Sequence, residues 1–238
     1  MHIRPIVAGL VLSACGTGTA PDACATEFPG SVCLDLSGAG ALLAHQSAIE
    51  EEVARTLDAV QPLLSLTDLR ISLIADPNQV IPEIGMGGFN PSAGEVRLYA
   101  DPSWPDLEGL LRSELLTQLA HEMHHAKRRR LRGYGSTLLQ AAVSEGLADH
   151  FALEASGGAP PIWVDALTPG ELANWIPEVV SHSTGAYNHA EWFYGTNPSI
   201  PRWTGYAVGF ELVRAYLEQH PTSSASGLAG EPATSFVP

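Results

Sequence analysis

The pentapeptide His121-Glu122-Met123-His124-His125 constrains this chain more than any other stretch. It reads as helix, and it sets a task for the rest of the fold. Residues four apart in a helix lie about 40° apart around the axis and about 6 Å along it. His121 and His125 therefore turn their imidazoles towards one point, where an ion could sit about 2.0–2.1 Å from each nitrogen. Glu122 is rotated off that line and can reach a water held by the ion, as a general base. Pairing His124 with His121 would break the four-residue spacing, so His124 is expected to pack or to support the site. A catalytic zinc commonly takes three protein ligands and a water. The fold must then bring a third ligand from elsewhere against this helix.

The next segment has the right length to do so. A long helix is expected over residues 107–131, opened by Pro105 and Asp106. Gly133, Tyr134 and Gly135 break it, and a second helix follows over residues 136–155. From His125 to Arg132 the first helix advances about 10 Å. The return helix covers about 14 Å between Ser136 and Glu145. An antiparallel hairpin thus sets Glu145 level with the gap between the two histidines. Asp149 lies one turn further on the same face, near His121. There it can accept the free ring N–H of that histidine and raise its basicity as a ligand.

Around this hairpin the order of elements is α+β. Apolar residues recur at helical spacing over residues 41–64, among them Leu42, Ile49, Val53, Leu57 and Val60. Residues 69–75 are short, apolar and β-branched, hence a strand. Residues 96–100 form a second strand, and around Val96 and Tyr99 it reads as a sheet edge to which a peptide could add by strand pairing. Between them GMGGFNPSAG, residues 85–94, reads as a flexible turn. Thr168-Pro169-Gly170-Glu171 is a capping-box pattern that opens another helix, and residues 205–219 form the last. A basic run, KRRRLR at residues 127–132, falls at a helix C-terminus. Cations there complement the macrodipole and extend into water.

The formal net charge of −14 argues against nucleic acid as a partner, because phosphate binding needs a positive footprint. At the N-terminus, Arg4 precedes a short apolar stretch that ends in Leu12-Ser13-Ala14-Cys15. The stretch is too short to span a bilayer but has the form of an export signal. Its ending resembles the lipobox of bacterial lipoproteins, in which the cysteine is lipidated. On this reading residues 1–14 are a signal peptide, Cys15 carries a lipid anchor, and the protein sits on the periplasmic side of the cell envelope. A plain signal peptide cleaved a little later, or a buried N-terminal strand, are the alternatives. Cys24 and Cys33 remain as an even pair, which an oxidising compartment would favour as a disulfide. Residues 15–40 then form a lipidated tether and disulfide loop, and residues 41–238 the main domain.

HEMHH followed by Ser144-Glu145-Gly146-Leu147-Ala148-Asp149 resembles the gluzincin metallopeptidases, which use HExxH with a downstream glutamate ligand. A closer resemblance is to a bacterial family of predicted zinc-dependent proteases of otherwise unknown function. That family shares HExxHH, a later EGLA segment and a C-terminal GYxxG helix, here Gly205-Tyr206-Ala207-Val208-Gly209. The resemblance implies a zincin-like fold, with a small sheet packed on the active-site helix and a helical C-terminal part. It also implies Zn2+ bound by His121, His125 and Glu145, with a peptide or protein as substrate. Gluzincins often place a downstream Tyr or His to stabilise the oxyanion. Tyr206 is the best-placed candidate by resemblance, and His182, Tyr187 and His189 compete with it. GMGGFN superficially resembles the exopeptidase motif of some gluzincin aminopeptidases but lacks its glutamate before the asparagine. The expectation is a zinc-dependent hydrolase with Glu122 as base. The alternative is an envelope lipoprotein that binds a metal or a partner without catalysis.

Overall fold

A computed structural model describes residues 24–238 of the chain. The expected signal peptide and Cys15 lie outside the described residues. The architecture is α+β, with a five-stranded sheet in the order β1-β2-β3-β5-β4 followed by a helical part. The strands are β1 (Thr26–Phe28), β2 (Val32–Asp35), β3 (Leu69–Ala75), β4 (Met86–Ser92) and β5 (Glu95–Ala100). The helices are α1 (Gln46–Leu64), α2 (Leu107–Leu131), α3 (Leu138–Ser156), α4 (Pro169–Ser181) and α5 (Thr204–Gln219).

Three readings of the sequence change here. The stretch read as a disulfide loop forms the hairpin β1–β2, which joins the main sheet through parallel pairing of β2 with β3. Cys24 and Cys33 are disulfide-bonded across it. Strands of three and four residues are too short to show a period. The expected turn at residues 85–94 is largely strand β4, despite two glycines and a proline that disfavour strand by propensity. As a consequence β5 is not an edge. It is hydrogen-bonded to β3 on one side and β4 on the other, and β4 takes the outer position.

The sheet is covered on one face. Leu69, Ile71 and Leu73 of β3 and Val96, Leu98 and Ala100 of β5 alternate inward. They form a core with Ile49, Val53 and Val60 of α1 and Leu111, Leu115 and Leu119 of α2. A second core lies among the C-terminal helices, with Leu139 and Val143 of α3, Val179 of α4 and Val208 and Leu212 of α5. Helices α2 and α3 form the seam between the two. At about 25 cal/mol per Å² of apolar surface removed from water, each core is a main source of stability for its own half.

The helical half is locked by a close crossing of α3 and α5 at glycines. A Cβ at Gly209 would lie 1.9 Å from the carbonyl oxygen of Ala142, and one at Gly146 would lie 2.1 Å from that of Gly209. No other residue allows backbones to approach so closely. The glycine after Glu145 and the glycine after Val208 thus have a packing role, which fixes the helices that carry Glu145 and Tyr206.

Candidate metal centre

The site is assembled from α2 and α3. Asp106 caps α2 by accepting from the backbone N–H of Gly109 at 3.0 Å. The cap on α3 is a full capping box made by Thr137 and Gln140. These caps fix where the two helices start, and so the register of the hairpin. His121 Nε2 lies 3.1 Å from Glu145 Oε2, His125 Nε2 lies 3.3 Å from the same oxygen, and the two histidine nitrogens are 3.0 Å apart. Glu145 therefore stands level with the gap between the histidines. Among the described residues these three are the one group whose His, Cys, Asp or Glu atoms converge closely enough to hold an ion.

The donor set fits zinc. Ligand atoms about 2.0–2.1 Å from a tetrahedral ion are about 3.3–3.4 Å from one another. The observed triangle is close to that size before any adjustment. Two imidazole nitrogens and one carboxylate oxygen are also the ligand types zinc prefers. With Nδ1 of His121 2.9 Å from Asp149 Oδ1, loss of the Nε2 proton would leave that nitrogen's lone pair aimed at the same point as Glu145 Oε2. Such a convergence calls for a cation at its centre.

The surrounding residues hold these donors in place. Asp149 is almost fully buried, and its other oxygen accepts from Trp163 Nε1 at 2.8 Å. Ser144 Oγ lies 3.3 Å from Nδ1 of His125. Tyr134 donates its hydroxyl to Oε1 of Glu145. Burial alone would raise the Glu145 carboxyl, but the charge of His125 and hydrogen bonds from both histidines hold it well below the ordinary value. Burial opposes protonation of His121, and the bonds to Asp149 and Glu145 outweigh it and raise its pKa well above the usual range. Burial pushes up the Glu122 carboxyl, against the pull of His125 and His121.

Glu122 is buried, and its Oε2 has no hydrogen-bond partner. Its carboxylate rests on the backbone of β4, where a Cβ at Gly88 would come within 2.4 Å of Oε1. Gly88 is thus the residue that admits Glu122 beside the strand. Both line a cavity of about 350 Å³ together with His121, His125 and Glu145. A neighbouring cavity of about 390 Å³ shares Gly88, Phe89, Tyr194 and Tyr206 with it and extends along β4.

Tyr206 lines both cavities, packed against Trp163 and Phe193, and burial holds its hydroxyl well above the usual range. Tyr187 and His189 line the first cavity too, joined by a 3.1 Å contact between the Tyr187 hydroxyl and His189 Nδ1. His182 does not line it: it follows α4, with Nδ1 2.8 Å from the Glu178 carbonyl. His124 turns the opposite way to the donors, into the first core, where Nε2 lies 3.3 Å from the Ala225 carbonyl and the ring meets Phe151. Burial keeps it neutral.

The basic run lies at the C-terminus of α2 as expected, and its side chains take further partners. Arg128 is buried and donates to the carbonyls of Ala229 and Glu231. Arg129 donates to Asn90 Oδ1 on β4, and Arg130 to the carbonyls of Ala93 and Thr67. The run ties α2 to the sheet and to the C-terminal segment; Arg128 is withdrawn from water, while Arg130 and Arg132 stay exposed. Tyr134, Ser144, Trp163 and Gly88 are the site's neighbours that spacing did not find. Tyr134 alone left a signal, as an aromatic residue between two glycines in a helical turn.

No curated protein and no solved structure matches the chain. Over residues 49–237, most of its length, it matches the model of the family described as Predicted Zn-dependent protease (DUF2268), and it belongs to that family.

Proposed function

We propose that this protein is a gluzincin-like, one-zinc peptidase with a zincin-like arrangement of sheet and active-site helix. The observation that carries the reading is the convergence of His121, His125 and Glu145 on one point beside the unpartnered, buried oxygen of Glu122. A structural zinc site would be closed by four protein ligands. Here the group contains three, and it opens on a cavity.

Zinc held by these three residues would polarise a scissile carbonyl and lower the pKa of a bound water towards about 7. Glu122 takes a proton from the attacking water and returns it to the leaving amine. Its buried setting raises its pKa and suits it to both steps. Asp149 holds the proton on Nδ1 of His121, so that Nε2 stays a donor. Tyr206 stands in the same cavity with a protonated hydroxyl that can donate to the developing oxyanion. The outer position of β4 offers a peptide backbone a strand to pair with, in place of β5.

Export to the cell envelope through a lipid on Cys15 belongs to the same proposal. The Cys24–Cys33 disulfide supports it, since such bonds persist in oxidising compartments. The net charge of −14 supports a protein or peptide substrate over nucleic acid.

The test is zinc content together with cleavage of a peptide library read by mass spectrometry. Expected are one zinc per chain, discrete peptide products, and a fall in kcat of about 10²–10⁴ in Glu122→Gln with zinc retained. Full activity in a zinc-loaded Glu122→Gln chain would sink the mechanism. Zinc without any cleavage would instead favour the metal-binding lipoprotein.

A further inference from the structure

Glu145 has two carboxylate oxygens, and the fold treats them differently. Oε2 faces both histidine nitrogens, at 3.1 and 3.3 Å. Oε1 is turned away and accepts the hydroxyl of Tyr134. A hydrogen bond to an ionised carboxylate is among the stronger kinds. While it persists, Oε1 is not free to swing towards the histidines.

We infer that Tyr134 is a positioning residue that keeps Glu145 a one-oxygen ligand, so that the fourth position on the metal stays open for water. The inference rests on the zinc reading given above. Without the hydroxyl, Glu145 could turn both oxygens onto the ion. The second oxygen would then bind beside the water as a fifth neighbour and crowd the position that catalytic zinc keeps open.

The structure builds Tyr134 into its place from several directions. Its ring meets that of His125 at 5.5 Å, and the Arg129 guanidinium lies over it at 5.5 Å. Arg129 is itself held by Asn90 of β4. On either side, Gly133 and Gly135 adopt φ of 78° and 114°, conformations that favour glycine. A Cβ at Gly135 would also strike the side chain of Gln140, which completes the cap of α3. The turn is therefore shaped by the same capping box that sets the register of Glu145. A tyrosine needed only to fill the turn would have no reason to spend its hydroxyl on a carboxylate already shared with two histidines.

The experiment compares the full mature chain with Tyr134→Phe, which keeps the ring and removes the hydroxyl. Each is loaded with cobalt(II) in place of zinc and its visible spectrum recorded. Zinc affinity is measured by competition with a chelator. The wild type should give the intense absorption of a four-coordinate ion. In the variant that absorption should fall several-fold, towards a five-coordinate spectrum, and zinc affinity should change by about 10- to 100-fold, as for other residues that orient ligands. In a peptide assay kcat should fall more than KM changes. A variant with wild-type spectrum and wild-type zinc affinity overturns the inference while leaving the zinc reading intact. A wild-type chain that takes up neither metal overturns the zinc reading and the inference together. Should the variant not fold, X-ray absorption on the zinc-loaded wild type decides the matter. Four nearest neighbours support a one-oxygen Glu145, and two carboxylate oxygens at bonding distance overturn it.

Discussion

The two halves of the molecule contribute to the site in different ways. Helix α2, packed on the sheet core, supplies His121, Glu122 and His125 within five residues of one another. The helical half supplies Glu145 and Asp149 from α3, Trp163 from a short turn and Tyr206 from α5. The first contribution depends only on helical geometry. The second depends on α3 lying against α2 at one register, and on α5 lying against α3. Local structure therefore fixes half of the site and tertiary packing the other half, and the two halves should fail differently when disturbed.

The largest expected effect comes from removing Glu145, the proposed ligand that crosses between the halves. Glu145→Ala should weaken zinc by more than the roughly 10- to 100-fold typical of residues that merely orient ligands. Zinc content after dialysis would show it. Should His121→Ala lose the metal while Glu145→Ala keeps it, the centre belongs to α2 alone and the comparison breaks.

The next effect tests the packing on which the helical half depends. Gly209→Ala puts a methyl group where 1.9 Å separates the built Cβ from the Ala142 carbonyl oxygen. Neither backbone has room to yield, so urea unfolding should show a loss of about 3 kcal/mol. Gly170, in the first turn of α4, has nothing within 4 Å of its built Cβ. Gly170→Ala should be neutral or stabilise by up to about 1 kcal/mol. Equal losses in both variants would mean that the crossing of α3 and α5 is not a fixed point of the fold.

The same contrast explains what could be read in advance. The ranges of α2 and β3, the capping box of α4 and the level of Glu145 follow from spacing and caps, which are local. The position of β4 does not, because Gly88 serves the approach of Glu122 and Gly87 that of the Gln79 backbone, and no local pattern announces either contact. The hairpin β1–β2 is invisible to periodicity for want of length. Arg128, Arg129 and Arg130 sit in the last turn of α2 as the local rule places them, but their partners are brought close by the fold and no local pattern names them. The partners Ser144 and Trp163 are single residues on other elements, and no pattern announces them. Tyr206, which the resemblance puts first, lines the cavity together with Tyr187 and His189, so geometry sets aside His182 alone among the four candidates.

A smaller effect separates the proposed ligands from the residues behind them. Asp149→Asn keeps the size of the side chain and an oxygen that can accept, but removes the charge facing His121 at 2.9 Å. Zinc affinity should fall by about 10- to 100-fold, less than for Glu145→Ala, with stability of the metal-free fold little changed. A loss as large as that of Glu145→Ala would place Asp149 among the ligands and change the geometry of the centre.

The smallest effect concerns a contact that joins the two halves across solvent. Arg202, just before α5, makes a bidentate pair with Glu83, in the segment before β4, at 2.6 and 3.2 Å. Both side chains are 42% exposed. The hydrogen bond from Arg202 is the main cause that lowers the Glu83 pKa. A depressed carboxylate adds stability above its unfolded pKa, and the contribution is lost as pH falls through the folded value. Exposure and side-chain entropy limit its worth to about 1 kcal/mol or less. Glu83→Gln should therefore shift urea unfolding at pH 7 only slightly, and the shift should shrink further in 1 M salt, where charges are screened beyond about 3 Å. As pH falls through the folded value of Glu83, the difference between the two proteins should vanish. A loss of 3 kcal/mol or more at neutral pH would mean that this surface pair, and not the buried seam of α2 and α3, holds the halves in register, and that the metal centre owes its geometry to a contact at the rim.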